Sequence, residues 1–185
     1  MHTLRSPRLT LRQWRAPDVP PWAALNADPA VTEFLGRCLS YEQSAEFVRR
    51  AAAELAQRGW GLWALERTGD GALLGCVGLA VPAFSAHFTP CVEILWRLVR
   101  EHWGCGYATE AARTCLRFAF GTLALAEVVA FTAAGNGRSR AVMQRLGMQR
   151  DAGGDFAHPR LRGGHPLRLH VLYRMRREQW QRAER

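Results

Sequence analysis

The residues best suited to chemistry lie in one stretch, Leu98-Val99-Arg100-Glu101-His102-Trp103-Gly104-Cys105-Gly106-Tyr107-Ala108-Thr109-Glu110-Ala111. Alternating apolar residues before it read as a strand, the glycines as a turn, and the alanine-rich run after it as a helix. Gly104 and Gly106 can take backbone angles closed to other residues, and they let a ligand approach the main chain. The free N–H groups of the helix's first turn point outward, and the helix dipole favours an anion there. Such a turn can cradle a diphosphate. It lacks the Lys-Ser/Thr of a P-loop, so nucleotide hydrolysis is not indicated. Thr109 stands where the dinucleotide fingerprint needs a third glycine or alanine. A Gly-x-Gly alone is also an ordinary turn.

Other polar residues sit where their environment gives them two readings. Glu93 lies mid-strand between Val92 and Ile94, where poor solvation raises a carboxyl pKa and suits a general base. An ion pair with an arginine across the sheet is the alternative. Asn136 precedes a helix and suits an N-cap. Ser139, in that helix's first turn, can satisfy its own backbone. Arg138 and Arg140 are charge-assisted donors for a phosphate. His158 and His165 belong to a loop rich in turn residues, Asp155 through Leu167, and read first as loop anchors and second as an auxiliary base or substrate contact. No Ser-His-Asp or Cys-His pairing is present.

These residues need a scaffold, and the chain has one. It has 185 residues, 48% apolar and 22% charged, which suits one folded domain with a sizeable core. No apolar run approaches the roughly 18 residues that cross a bilayer. Met1 to Arg15 has charges throughout and no apolar core, unlike a secretory signal. The five cysteines are scattered without a Cys-x-x-Cys pair, which fits a reducing cytosol and gives no zinc site. Strands are predicted at Leu9 and Leu11, Trp60 to Glu66, Leu73 to Val81, Cys91 to Val99, Glu127 to Thr132, and Leu169 to Met175. Helices are predicted from Ser40, with Gln43 completing a capping box, to Gly59; from Cys105 to Phe120; and from Arg138 to Leu146, closed by Gly147. In the first helix Tyr41, Ala45, Val48, Ala52 and Leu55 form the expected packing stripe. The order is mixed α/β.

The charge is unusual. The net is +9, and all 25 basic residues are Arg. Residues 1–137 carry 13 Arg against 12 acids, while residues 138–185 carry 12 Arg against 4 acids. A basic last quarter suggests a polyanionic partner or, more plainly, codon bias and a solvated tail.

The chain resembles the GNAT acyltransferases, in particular the RimJ/RimL-like branch. The resemblance rests on Trp103-Gly104-Cys105-Gly106-Tyr107-Ala108-x-Glu110-Ala111 and on Asn136-x-x-Ser139 leading to Leu146-Gly147-Met148. The opening Arg8-Leu9-Thr10-Leu11-Arg12 and the closing Tyr173-Arg174-Met175 also fit. Trp103 replaces the superfamily's usual Arg or Gln, a departure common in that branch. The resemblance implies a single acetyltransferase domain over residues 1–185, with a core at about 3–177 and an Arg-rich tail at 178–185. It implies a mixed, mostly antiparallel sheet of six or seven strands flanked by helices, with a splayed strand pair.

It also implies acetyl-CoA as co-substrate and no metal. Leu98 and Val99 would pair by main chain with the pantetheine arm. Gly104, Cys105, Gly106, Tyr107 and Ala108 would donate N–H groups to the pyrophosphate, and Trp103 would pack on the cofactor or cap the core. Asn136 would lie near the pantetheine, Arg138 and Arg140 near phosphate, and Ser139 would protonate the leaving thiolate. Glu93 would be the base. The implied reaction is acetyl transfer to a primary amine, either a protein N-terminal α-amine or a small molecule, in the cytoplasm. A homodimer is implied by analogy. Two alternatives remain: a silent acyl-CoA sensor, and an Arg-rich nucleic-acid binder, for which no recognition motif exists.

Overall fold

The computed structural model describes residues 2–184. The chain divides into two compact units, one of residues up to Leu79 together with Leu95–Cys115, the other of Ala80–Ile94 together with the chain from Leu116 onward.

The first unit carries β1 (Leu4–Arg5), β2 (Leu9–Arg12), α1 (Val19–Ala27), α2 (Pro29–Thr32), α3 (Tyr41–Arg58), β3 (Leu62–Arg67) and most of β4 (Leu73–Ala80). β1 to β4 pair in chain order, each antiparallel to the next. α3 forms where its capping signals stand. Ser40 Oγ accepts from the Gln43 N–H, Gln43 Oε1 accepts from the Ser40 N–H, and Gly59 closes the helix. The buried stripe is Ser44, Val48, Ala51 and Leu55, while Tyr41 is 54% exposed. It is rotated from the expected stripe because α1 packs on α3. Trp22 stacks on Phe47 with centroids 4.8 Å apart, and Trp14 meets both rings edge-on.

α1 is an element that the sequence reading did not place. It opens on Pro20 and Pro21, which suit a helix's first turn, and its apolar residues form no single stripe for periodicity to detect.

A buried ion pair holds the first unit's strands to the turn before α1. Arg12 is almost fully buried on β2. Its two Nη atoms reach the carboxylate oxygens of Asp18 at 2.7 and 2.8 Å, and its Nε reaches Glu66 on β3 at 2.5 Å. Another constraint sits at Gly75 on β4. A Cβ there would lie 2.0 Å from the Arg97 carbonyl oxygen, so only glycine lets β4 approach that closely.

Two elements run from one unit into the other, β5 (Glu93–Leu98) and α4 (Tyr107–Gly121). The second unit adds β6 (Glu127–Ala133), α5 (Gly137–Arg145), β7 (Gln149–Ala157), β8 (Leu169–Arg176) and α6 (Arg177–Ala183). β8 lies between β6 and β7, antiparallel to both. β5 meets β6 in parallel, and among the described residues their ladder has one register pair, Glu93 with Val129. Phe88, Phe131 and Phe156 pack together with centroids 4.9 to 5.8 Å apart.

The described residues form eight strands, not six or seven. β1 is only two residues long, and β7 carries Gly153 and Gly154 in a mostly exposed Gln149–Ala157 segment. β7 lacks the apolar alternation that marks a strand, and its register with β8 shifts between Asp151 and Phe156. The Arg-rich tail is also corrected, since most of it is α6. Trp180 is buried there beside Phe120, at 5.9 Å between centroids, and Arg177 Nε donates to the Leu125 carbonyl at 2.8 Å.

Replacing Arg12 with Met leaves Asp18 and Glu66 shielded without their cation. The expected loss is about 3–5 kcal/mol of unfolding free energy, read from the shift in urea midpoint at constant slope.

Candidate functional site

The first unit contributes the glycine turn. Gly104 and Gly106 take φ values of +76° and +79°, the left-handed region that favours glycine. No atom lies within 4 Å of where a Gly104 Cβ would stand, so this face of the turn is open. α4 begins at Tyr107, and its first intrahelical bond runs from the Glu110 N–H to the Gly106 carbonyl at 3.0 Å. The turn therefore presents main-chain N–H groups at the positive end of a 15-residue helix.

The turn is braced by residues that sequence reasoning did not assign to the site. Arg8 donates from Nη1 to the Cys105 carbonyl at 3.1 Å and from Nε to Glu110 at 2.6 Å. Its guanidinium lies 4.6 Å from the Tyr107 ring centroid. Glu110 also accepts from the Arg8 N–H at 3.0 Å and from Ser6 Oγ at 2.8 Å. Burial pushes the Glu110 carboxyl up, but these donors outweigh it and hold it below its ordinary range. Both residues stand in the motifs quoted above. Nothing in either motif says that they meet, because they are 102 residues apart.

The expected pantetheine and pyrophosphate residues lie together here, from Leu98 to Ala108. Their main-chain groups are not all available. The Val99 N–H donates to the Leu74 carbonyl at 2.9 Å, and the Val99 carbonyl accepts from the His102 N–H at 3.1 Å. Trp103 Nε1 donates to the Leu98 carbonyl at 2.9 Å, so the indole folds back on the end of β5. Cys105 is exposed at the tip of the turn.

The second unit holds the other candidates. The Glu93 side chain makes no hydrogen bond or ion pair within 4 Å among the described residues, so the alternative reading of a cross-sheet ion pair is not seen. Burial pushes its carboxyl up to about 8, and the more distant Arg160 charge pulls the other way. That cation is tethered elsewhere, donating to the Ala83 carbonyl at 2.9 Å. A carboxyl that gains and loses its proton near neutrality is chemically suited to act as a base.

Asn136 caps α5. Its Oδ1 accepts from the Ser139 N–H at 3.1 Å, and its Nδ2 donates to Thr132 Oγ1 at 3.0 Å. The side chain is thus occupied at both ends. The Ser139 hydroxyl has no protein partner among the described residues, so it is free to donate. Arg140 donates to the Ala134 carbonyl at 3.2 Å, with its Nε buried and unpartnered. His158 Nδ1 accepts from the Arg160 N–H and His165 Nδ1 from the Leu167 N–H, so both anchor their loop. No helix among the described residues is long and apolar enough to cross a membrane.

Residues 8–149 match the family described as "Acetyltransferase (GNAT) domain". The chain is 33% identical over 121 residues to the uncharacterized protein YkkB of Bacillus subtilis (strain 168), covering 65% of this chain and 69% of YkkB. It is 26% identical over 150 residues to the uncharacterized N-acetyltransferase YoaA of the same organism, covering 80% and 83%. The solved structure of an acetyltransferase (GNAT family) from Bacillus anthracis shares the fold at a TM-score of 0.80, with 22% identity over 96% of this chain and 99% of that one. The chain belongs to the GNAT acetyltransferases, acyltransferases that take acetyl-CoA as co-substrate.

Proposed function

We propose that the protein is an acetyl-CoA-dependent N-acetyltransferase of the RimJ/RimL-like branch, acting over residues 1–185 on a primary amine. The observation that carries this reading is the turn at Gly104 and Gly106. Its two left-handed glycines open onto the first turn of α4, with nothing standing over Gly104. The diphosphate of acetyl-CoA would accept from the N–H groups of Gly104 to Ala108. Trp103 would flank it, and Leu98 and Val99 would meet the pantetheine by main chain. In this reading Asn136 sets the start of α5, and Arg138 and Arg140 serve the phosphate groups.

The reaction needs no covalent intermediate. The amine nitrogen attacks the thioester carbonyl, an N–C bond forms, and the C–S bond breaks. Glu93 takes the amine proton, and Ser139 supplies one to the departing thiolate. The enzyme's main contribution is to orient two reactants. The acceptor is a protein N-terminal α-amine or a small-molecule amine. An α-amine titrates near about 8, whereas a lysine ε-amine titrates near about 10.4 and is harder to deprotonate. Five free cysteines fit a cytoplasmic setting.

Two outcomes test the proposal. Gly106→Val places a β-branched residue at φ +79° and should abolish acetyl-CoA binding by calorimetry while the far-ultraviolet dichroism stays native. Unchanged affinity would place the co-substrate elsewhere, and binding without thiol release on any amine would favour the silent sensor. For Glu93, a base must be ionised, so kcat/KM should rise with pH through about 8. Glu93→Gln should remove that limb and lower kcat about 10²–10⁴-fold. The same substitution should stabilise the fold at pH 9, where the native carboxylate is ionised without a partner, and the gain should shrink as pH falls toward 4.

A further inference from the structure

Within the first unit, α1 and β5 bring a guanidinium with one side-chain acceptor beside an indole N–H with none. Arg97 on β5 directs its guanidinium over the Trp22 ring, 5.3 Å from the centroid. Its Nη1 donates to Asn26 Oδ1 at 2.5 Å. Asn26 is fully buried, and its Nδ2 donates to the Trp22 carbonyl at 2.9 Å and to Ser44 Oγ at 3.3 Å. The amide is thereby locked with its oxygen toward Arg97.

That single amide oxygen is little for a guanidinium, which has five N–H donors and a full charge. Among the described residues no Asp or Glu pairs with Arg97. Two other shielded strand arginines differ. Arg12 has Asp18 and Glu66, and Arg174 has Asp151 at 2.7 Å and Glu127 at 2.6 Å. The anionic candidate beside Arg97 is the Cys76 thiol, which burial pushes up to about 11 and so keeps neutral. Burial also lowers the Arg97 pKa, which marks a cation short of compensation. The second donor is Trp22 Nε1. It is buried without an acceptor, in a side chain with no exposed surface. A buried donor left unpaired is costly, as is a shielded charge without a counter-ion.

We infer that Arg97, with the Trp22 ring beneath its guanidinium, binds a carboxylate carried by the acceptor, so the acceptors are amines that also bear a carboxylate, such as amino acids. A carboxylate supplies the missing negative charge and pairs with a guanidinium through two parallel hydrogen bonds. Arg97 and Glu93 occupy alternating positions of one strand, four residues apart. The inference rests on the acetyl-transfer reading for its substrate, but the anion site itself does not.

Two measurements separate these parts. The first compares kcat/KM for matched pairs with and without the carboxylate, tyrosine against tyramine and lysine against cadaverine, at saturating acetyl-CoA. The expected result is a preference of at least about tenfold for the carboxylated member. Arg97→Met should lose it, and Arg97→Lys should keep part of it. Equal rates within the pairs, or a preference that survives in Arg97→Met, would overturn the assignment.

The second follows the indole N–H resonance of Trp22 in the unaltered protein, identified by its loss in Trp22→Phe, during titration with sodium benzoate. A saturable shift supports the site whether or not any amine is acetylated. No shift overturns it. An equal shift with sodium chloride or inorganic phosphate overturns the carboxylate assignment. If benzoate binds while no amine is turned over, the acetyl-transfer reading fails and the anion site stands.

Discussion

Glu110 gathers three donors that chain order keeps far from it: the Ser6 hydroxyl, the Arg8 main-chain N–H and the Arg8 guanidinium. A turn with two left-handed glycines has little shape of its own, because glycine visits many conformations. The clamp supplies the shape from outside. Arg8 is tied to the carbonyl of the turn at Cys105, to the first turn of α4 at Glu110, and to the face of Tyr107. The direction of the N–H groups at the turn is therefore a tertiary property. It depends on where the chain's first strands lie, as much as on the glycines.

The parts of the molecule that were legible in the sequence are those whose cause is local. α3 carries both of its caps in the letters Ser40, Gln43 and Gly59, and the chain folds accordingly. The strand-turn-helix from Glu93 to Gly121 is marked by alternation, then glycine, then helical spacing. The raised pKa of Glu93 follows from placing a carboxyl among apolar strand neighbours. Where causes are distant, the letters are silent. Arg8 and Glu110 look like ordinary surface charges until the fold brings them together. β7 is a strand because β8 offers it a partner, not because Gln149–Ala157 alternates. The stripe of α3 is turned because α1, itself hidden by two prolines, lies against it.

Part of the basic last quarter is taken up in pairing and docking on folded elements, not in an extended tail. Arg174 joins β8 to Asp151 and Glu127, and Arg150 pairs with Asp155. Arg160 and Arg177 donate to backbone carbonyls. A few arginines of the excess thus hold the second unit together through main-chain oxygens, which need no matching acid.

Every side-chain cation in these pairs is a guanidinium, which proteins do not deprotonate. The network accordingly responds to acid and alkali in different ways. On the acid side its carboxylates, held low in the folded state at Glu110 and Asp151, lose their stabilising effect as they take up protons. On the alkaline side no ammonium exists to discharge near pH 10, so the same bonds stay fully charged. Alkaline sensitivity is left to thiols that the fold shields, Cys76 and Cys91, both pushed up to about 11. The molecule's tolerance to base is set by its apolar interior, and its tolerance to acid by its surface chemistry.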